Sequence, residues 1–266
     1  MHQNALRRKL EAGQPVIGPI LQEIGDSPDL VDFLGFAGFD YVILDGEHAG
    51  VDVGEARALA RAAAASGLTA LARVPDPSPG RILALLDAGI QGIILAHCNT
   101  VDDAESLVQA VKYPPRGKRG ASSGSRAAMY GYGSSAKEKL EIADAETMCF
   151  GLIEEPRAVD SVAGMLAVDG FDGCFLGPGD MALTMGREFY GEQTTHPAVQ
   201  ALIDTARSQT LEAGKLVMEP AGSGEAARAL IDNGVQLVVV QFGQFFRAAC
   251  DAYLRAARES SAWSDR

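Results

Sequence analysis

The sequence predicts an α/β protein folded as a closed (β/α)8 barrel, on three observations. Short runs of consecutive apolar residues recur along the chain, as parallel strands covered on both faces require. Most are separated by stretches with apolar residues at the three- and four-residue spacing of a helix. Eight such units within about 250 residues match the arithmetic of barrel closure. The competitor is a doubly wound open sheet, but the first strand is followed by no GxGxxG.

The expected strands are 15–21 (PVIGPIL), 41–46 (YVILDG), 69–75 (TALARVP), 92–98 (GIILAHC), 147–155 (TMCFGLIEE), 173–180 (GCFLGPGD), 215–220 (KLVMEP) and 237–243 (LVVVQFG). Helical patterns lie between them. Residues 51–67 stop at Gly67, and 79–89 open on a proline and stop at Gly89. Residues 100–113 open with Thr100 and acids, the side chains that suit a helix N-terminus, and 223–234 open similarly. Residues 244–258 form a long apolar-faced helical segment. Residues 114–146 break the rhythm and are too long for a bare connection. They are functional, disordered or hold a short helix, and read as a lid or substrate-facing loop at the active face, or as a mobile surface loop. No composition shift marks a boundary, so residues 1–266 read as one domain, with a polar N-terminal segment (about 1–14) and a flexible C-terminal tail (about 259–266).

Composition narrows the function. A formal net charge of −12 repels phosphate backbones, which argues against nucleic acid as a partner. No apolar run is long enough for a membrane span, and the N-terminus lacks the apolar core of a signal peptide, so a cytoplasmic protein is expected. Cys98, Cys149, Cys174 and Cys250 show no CxxC pairing and read as reduced thiols.

In such a barrel chemistry sits at the C-terminal ends of the strands. Those ends supply Asp45, Glu47 and His48, then Arg73, His97, Glu154 and Glu155, Asp180, Glu219 and Gln241. Glu154 and Asp180 close adjacent strands. Two carboxylates that close repel unless one is protonated or a cation lies between them, and carboxylates with waters suit Mg²⁺ or Mn²⁺. Asp180 can alternatively cap the next helix. Arg73 can hold a carboxylate or a developing enolate oxygen through its forked donors, or form a rim salt bridge. His48 can be a base, a metal ligand or a satisfied core imidazole. The six lysines close no strand, and no GxSxG occurs, which disfavours Schiff-base and serine-nucleophile chemistry.

The segments ILDGEHA (43–49), RVPDP (73–77), LLDAGIQGIIL (85–95), YPPRGKRG (113–120), IEEPRAV (153–159) and FLGPGDMALTMG (175–186) occur in an order and spacing that resemble the HpcH/HpaI aldolase family. The resemblance implies a metal-dependent class II pyruvate aldolase. Such an enzyme cleaves a 4-hydroxy-2-oxo acid to pyruvate and an aldehyde through the pyruvate enolate, and runs the reverse addition. It implies Glu154 and Asp180 as ligands of a divalent ion (Mg²⁺ or Mn²⁺, or Co²⁺). Arg73 would bind the keto oxygen, His48 would handle the proton of the 4-hydroxyl, and Asp87 would be its partner. Asp45 would support the site. Gly177, Pro178, Gly179 and Asp180 would receive the substrate carboxylate. It further implies a C-terminal helix exchanged between subunits of a homohexamer, a trimer of dimers. Three departures from the family's pattern bear on substrate choice. Leu152 and Glu155 flank Glu154 where the family has Gln-x-Glu-Thr. Gln241-Phe242-Gly243 replaces Gly-Val-Asp. LAHCNT lacks the family's proline and brings His97 near the pocket. Decarboxylation or carbon–carbon bond formation of the oxaloacetate type, and a citrate-lyase-like acyl-CoA lyase, are the alternatives.

Overall fold

The computed structural model describes residues 3–22, 27–191 and 196–259. Its strands are β1 (Val16–Leu21), β2 (Tyr41–Asp45), β3 (Thr69–Val74), β4 (Gly92–Leu95), β5 (Met148–Ile153), β6 (Gly173–Leu176), β7 (Leu216–Pro220) and β8 (Leu237–Gln241). Each pairs in parallel with the next, and β8 returns to β1, so the sheet closes as a barrel. The helices are α1 (Ala5–Glu11), α2 (Pro28–Phe36), α3 (Val53–Ala65), α4 (Pro79–Ala88), α5 (Val101–Val111), α6 (Ala136–Glu146), α7 (Pro156–Val159), α8 (Val162–Leu166), α9 (Pro178–Met185), α10 (Pro197–Glu212), α11 (Gly224–Asp232) and α12 (Phe242–Arg258). None is long and apolar enough to cross a membrane.

The expected helix signals act as their chemistry requires. Asp52 and Ser223 accept hydrogen bonds from the first turns of α3 and α11, and Thr100 and Asp103 form a reciprocal capping box on α5. Gly89 ends α4 at φ 117°, a left-handed conformation that a side chain resists.

Two apolar layers follow from the two-residue period of the strands. One face packs inside the barrel, where Ile20, Tyr41, Ile43, Leu71, Ile94, Phe150, Phe175, Met218 and Val239 meet. The other packs under the helices, through Val42, Leu44, Val74, Ile93, Cys149, Cys174 and Val217. Burial pushes the thiols of Cys149 and Cys174 up to about 12, so they stay protonated packing groups. Cys250 on α12 is exposed.

The polar N-terminal segment forms α1 and closes the lower end of the barrel. Leu6 enters the interior cluster. Buried Asn4 takes the Thr69 hydroxyl on its side-chain oxygen, and its amide groups donate to Glu146.

One expectation is corrected, and Glu219, which the sequence leaves between tuning the site and facing water, finds its place. Residues 114–146 follow α5, which runs back down the barrel, so they lie at the N-terminal face and form no lid over this chain's own mouth. Lys112 Nζ there donates to the Thr147 carbonyl just below β5, and the stretch ends in α6. Glu219 alternates outward, where Arg207 on α10 holds it by two bonds of 2.5 and 2.9 Å.

From Gln244 to Glu259 every residue is exposed, Phe245, Phe246, Tyr253 and Leu254 among them. Helix α12 therefore departs from its own barrel with an uncovered apolar face. The expected tail falls beyond the described residues from 260 onward.

Candidate active site

Three mouth residues continue the inward alternation of their strands. Asp45 follows Tyr41 and Ile43, Arg73 follows Leu71, and Glu154 follows Phe150 and Leu152. Period two alone carries them into the upper barrel. Asp45 and Arg73 are also register partners across β2 and β3.

Asp45 is fully buried. Its Oδ1 accepts from Arg73 Nε at 3.0 Å, and its Oδ2 from Arg73 Nη2 at 2.5 Å. Oδ1 also accepts from the backbone N–H groups of Glu47 and His48, which shapes the turn after β2. Burial pushes the Asp45 carboxyl up, but the Arg73 bonds and charge outweigh it and hold it below the usual range. The forked pairing locks the guanidinium in place with little surface exposed.

Glu47 extends the network. Its Oε2 lies 3.0 Å from Arg73 Nη1, but no hydrogen bond is aimed at this buried oxygen. Its Oε1 lies 3.4 Å from His97 Nε2. The other nitrogen of that ring, Nδ1, lies 3.1 Å from Glu154 Oε1 and 3.4 Å from Glu155 Oε1. The backbone N–H of His97 donates to the same Glu154 oxygen at 2.7 Å. This doubled contact requires φ 49° at His97, a left-handed conformation that costs a residue with a side chain about 1–2 kcal/mol. Outside this cluster, Asn99 and Arg157 hold Glu155.

Glu154 is pushed up to about 7, first by burial and then by the charges of Asp180 and Glu47, against the lowering influence of His97. Glu47, His97 and Glu154 bring ligand atoms within 4.8 Å of one another. An orphaned buried carboxylate oxygen, a carboxyl resisting ionisation and an adjacent imidazole together fit a divalent cation.

Asp180 is placed differently from expectation. β6 ends at Leu176, and Asp180 lies in the first turn of α9 rather than at a strand end. It stands outside the three-residue cluster yet acts on Glu154 by charge. Gly177 lets α9 start close by, since a Cβ there would lie 3.1 Å from Glu154 Cβ and from Leu152 Cδ1. Gly177 offers α9 no side-chain cap, and Pro178 has no N–H, so the N–H groups of Gly179 and Asp180 face the mouth without a capping side chain. Leu152 is buried beneath Glu154 and offers no donor.

His48 is half exposed at the rim, with Nε2 4.0 Å from Glu47 Oε2. Asp87 does not meet it. Asp87 occupies the last turn of α4, at the opposite end of the barrel, 3.5 Å from Arg119 Nη2. The Arg119 guanidinium is wholly buried and stacks over Tyr113 at 4.7 Å. Glu47 and His97 are the residues sequence reasoning left without a role. The signals were the DGEH turn and a histidine ending β4.

The HpcH/HpaI aldolase/citrate lyase family model matches residues 22–240. A hydroxypyruvate/pyruvate aldolase of Roseobacter denitrificans is 32% identical over 242 residues, covering 89% of this chain and 90% of that protein. A 4-hydroxy-2-oxo-heptane-1,7-dioate aldolase of Salmonella typhimurium is 34% identical over 238 residues, covering 89% and 88%. Among solved structures, an HpcH/HpaI aldolase/citrate lyase family protein of Burkholderia cenocepacia J2315 superposes with a TM-score of 0.87 at 29% identity, covering 96% of this chain and all of that one.

Proposed function

Because the chain belongs to the HpcH/HpaI aldolase/citrate lyase family, we propose that it cleaves a 4-hydroxy-2-oxo acid to pyruvate and an aldehyde, and catalyses the reverse addition. The observation that carries this reading is the convergence of Arg73, locked by Asp45, with the cation-fitting Glu47, His97 and Glu154. The pyruvate and hydroxypyruvate donors named for the relatives present the same 2-oxo carboxylate to such a site.

A divalent ion such as Mg²⁺, Mn²⁺ or Co²⁺ on Glu154 and Asp180 supplies Lewis-acid polarisation of the 2-oxo group when bound. The chain supplies the rest. With Nε and Nη2 held by Asp45, Arg73 offers its Nη1 donors to the keto oxygen, where enolate charge develops as the C3–C4 bond breaks. The first-turn N–H groups of α9, beginning at Gly177-Pro178-Gly179-Asp180, receive the substrate carboxylate. His48 takes the 4-hydroxyl proton in cleavage and returns it in synthesis. Asp87 and His48 lie at opposite ends of one barrel, so their pairing requires a second copy. The uncovered apolar face of α12 supports exchange of that helix in a homo-oligomer, with a hexamer as the proposed assembly.

The test is a panel of aldehydes with pyruvate or hydroxypyruvate as donor, with divalent ion and with EDTA. The reading expects ion-dependent aldol product that Glu154→Ala abolishes. Full activity in EDTA contradicts it. Turnover of oxaloacetate in place of every aldehyde would favour decarboxylation.

A further inference from the structure

We propose that His97 is itself a ligand of the divalent ion, beside Glu47 and Glu154, and biases the site toward ions that accept imidazole nitrogen. The inference rests on the metal-dependent reading above and goes beyond its carboxylate pair.

Three observations carry it. Each His97 ring nitrogen faces a carboxylate of the cluster, at 3.1 Å from Glu154 Oε1 and 3.4 Å from Glu47 Oε1. An imidazole binds one ion through one nitrogen, so only one of these contacts can be an edge of the coordination shell. Ligand atoms at bond lengths of about 2.1 Å lie about 3 Å apart in an octahedron, and one ligand atom from each of Glu47, His97 and Glu154 lies within 4.8 Å of the others. Second, the backbone N–H of His97 already serves Glu154 at 2.7 Å from a left-handed conformation that glycine adopts more easily. A histidine held there adds a ring that the backbone contact does not need. Third, Glu47 Oε2 is buried without a hydrogen bond and lies 3.0 Å from Arg73 Nη1, which leaves Oε1, the oxygen facing His97, for the ion.

The chemical consequence is selectivity. An all-oxygen set suits Mg²⁺, which binds imidazole poorly. Adding one neutral imidazole favours Co²⁺ and Ni²⁺. A histidine that only balanced charge would act on all divalent ions alike.

Calorimetric titration of ion-stripped protein with Mg²⁺, Co²⁺ and Ni²⁺, together with the visible spectrum of the Co²⁺ form, tests this without any turnover. Wild-type protein, His97→Ala, His97→Gln and Glu154→Ala are compared. Both His97 variants should weaken Co²⁺ and Ni²⁺ at least about tenfold, leave Mg²⁺ within about threefold, and shift the Co²⁺ bands. Half the ring surface is in solvent, so neither variant opens the core, and the glutamine retains polarity and bulk. Equal losses for Mg²⁺ and Co²⁺, or an unchanged Co²⁺ spectrum, overturn the proposal. Glu154→Ala should lose every ion. If it binds them all as wild type does, the metal reading itself fails, whatever His97 does.

Discussion

Asp45 organises three neighbours at once: it clamps Arg73 through two bonds, and it accepts the N–H groups that turn the chain toward Glu47 and His48. Removing one partner of a buried ion pair leaves the other uncompensated. Asp45→Ala should therefore cost about 3 kcal/mol in denaturant unfolding. It should also lower kcat, because Arg73 loses its anchor. Acidity separates the two buried carboxyls. Asp45 is held below the ordinary carboxylate range, so its stabilising contribution is present above that range and is lost as pH falls through its lowered value. Glu154 behaves oppositely, being raised from 4.5 to about 7 by burial and neighbouring charge. The ion-free protein should lose stability as pH rises through that interval. Thermal melts with and without Mn²⁺ should show a stabilisation that grows from about pH 6 to about pH 8, since the ion binds the ionised carboxylate. A stabilisation that is the same at both pH values would contradict the cause assigned to Glu154. At this scale Asp45, Arg73 and Glu154 were legible in the sequence, because polar residues ending apolar strands mark a barrel mouth. The pull of His97 on Glu154 was not, since it depends on a left-handed turn after β4 that no short motif announces.

The strands show which element boundaries sequence chemistry can and cannot mark. Apolar runs located all eight, yet β6 stops at Leu176 and the expected strand ran on to 180. Pro178 explains the difference: fixed φ and a missing N–H suit the first turn of a helix as well as the end of a strand. The consequence is that Asp180 approaches Glu154 from a helix, and the tight start at Gly177 sets how closely. Gly177→Val should press on Glu154 and Leu152, reducing ion affinity and turnover and lowering stability by about 1–3 kcal/mol. Titration of ion binding alongside melting checks this. A wild-type ion affinity in that variant would mean that α9 is not held by this approach. Glu219 teaches the same lesson in reverse. It ends a strand, but the two-residue alternation turns it outward to Arg207.

The whole barrel separates what the linear motifs had joined. His48 rises at the C-terminal face, while Asp87 ends α4 at the other, beside Arg119. Residues 114–135 lie at that lower face too, because α5 carries the chain down before they begin. Counting strands was enough to read the closure, but placing a long segment requires following each helix back to its face. If Asp87 serves a neighbour's His48, inactive His48→Asn and Asp87→Asn proteins should regain activity when their subunits are mixed. Random exchange restores about one site in four. No recovery in demonstrably mixed oligomers would break the pairing. The enolate chemistry itself is open to one assay that needs no knowledge of the aldehyde. Exchange of the pyruvate methyl protons into D₂O, followed by NMR, should proceed with added Mn²⁺ or Mg²⁺. It should stop in EDTA and in Arg73→Ala. Exchange that continues unchanged in EDTA, or never exceeds the background with ion present, would contradict a metal-dependent pyruvate aldolase.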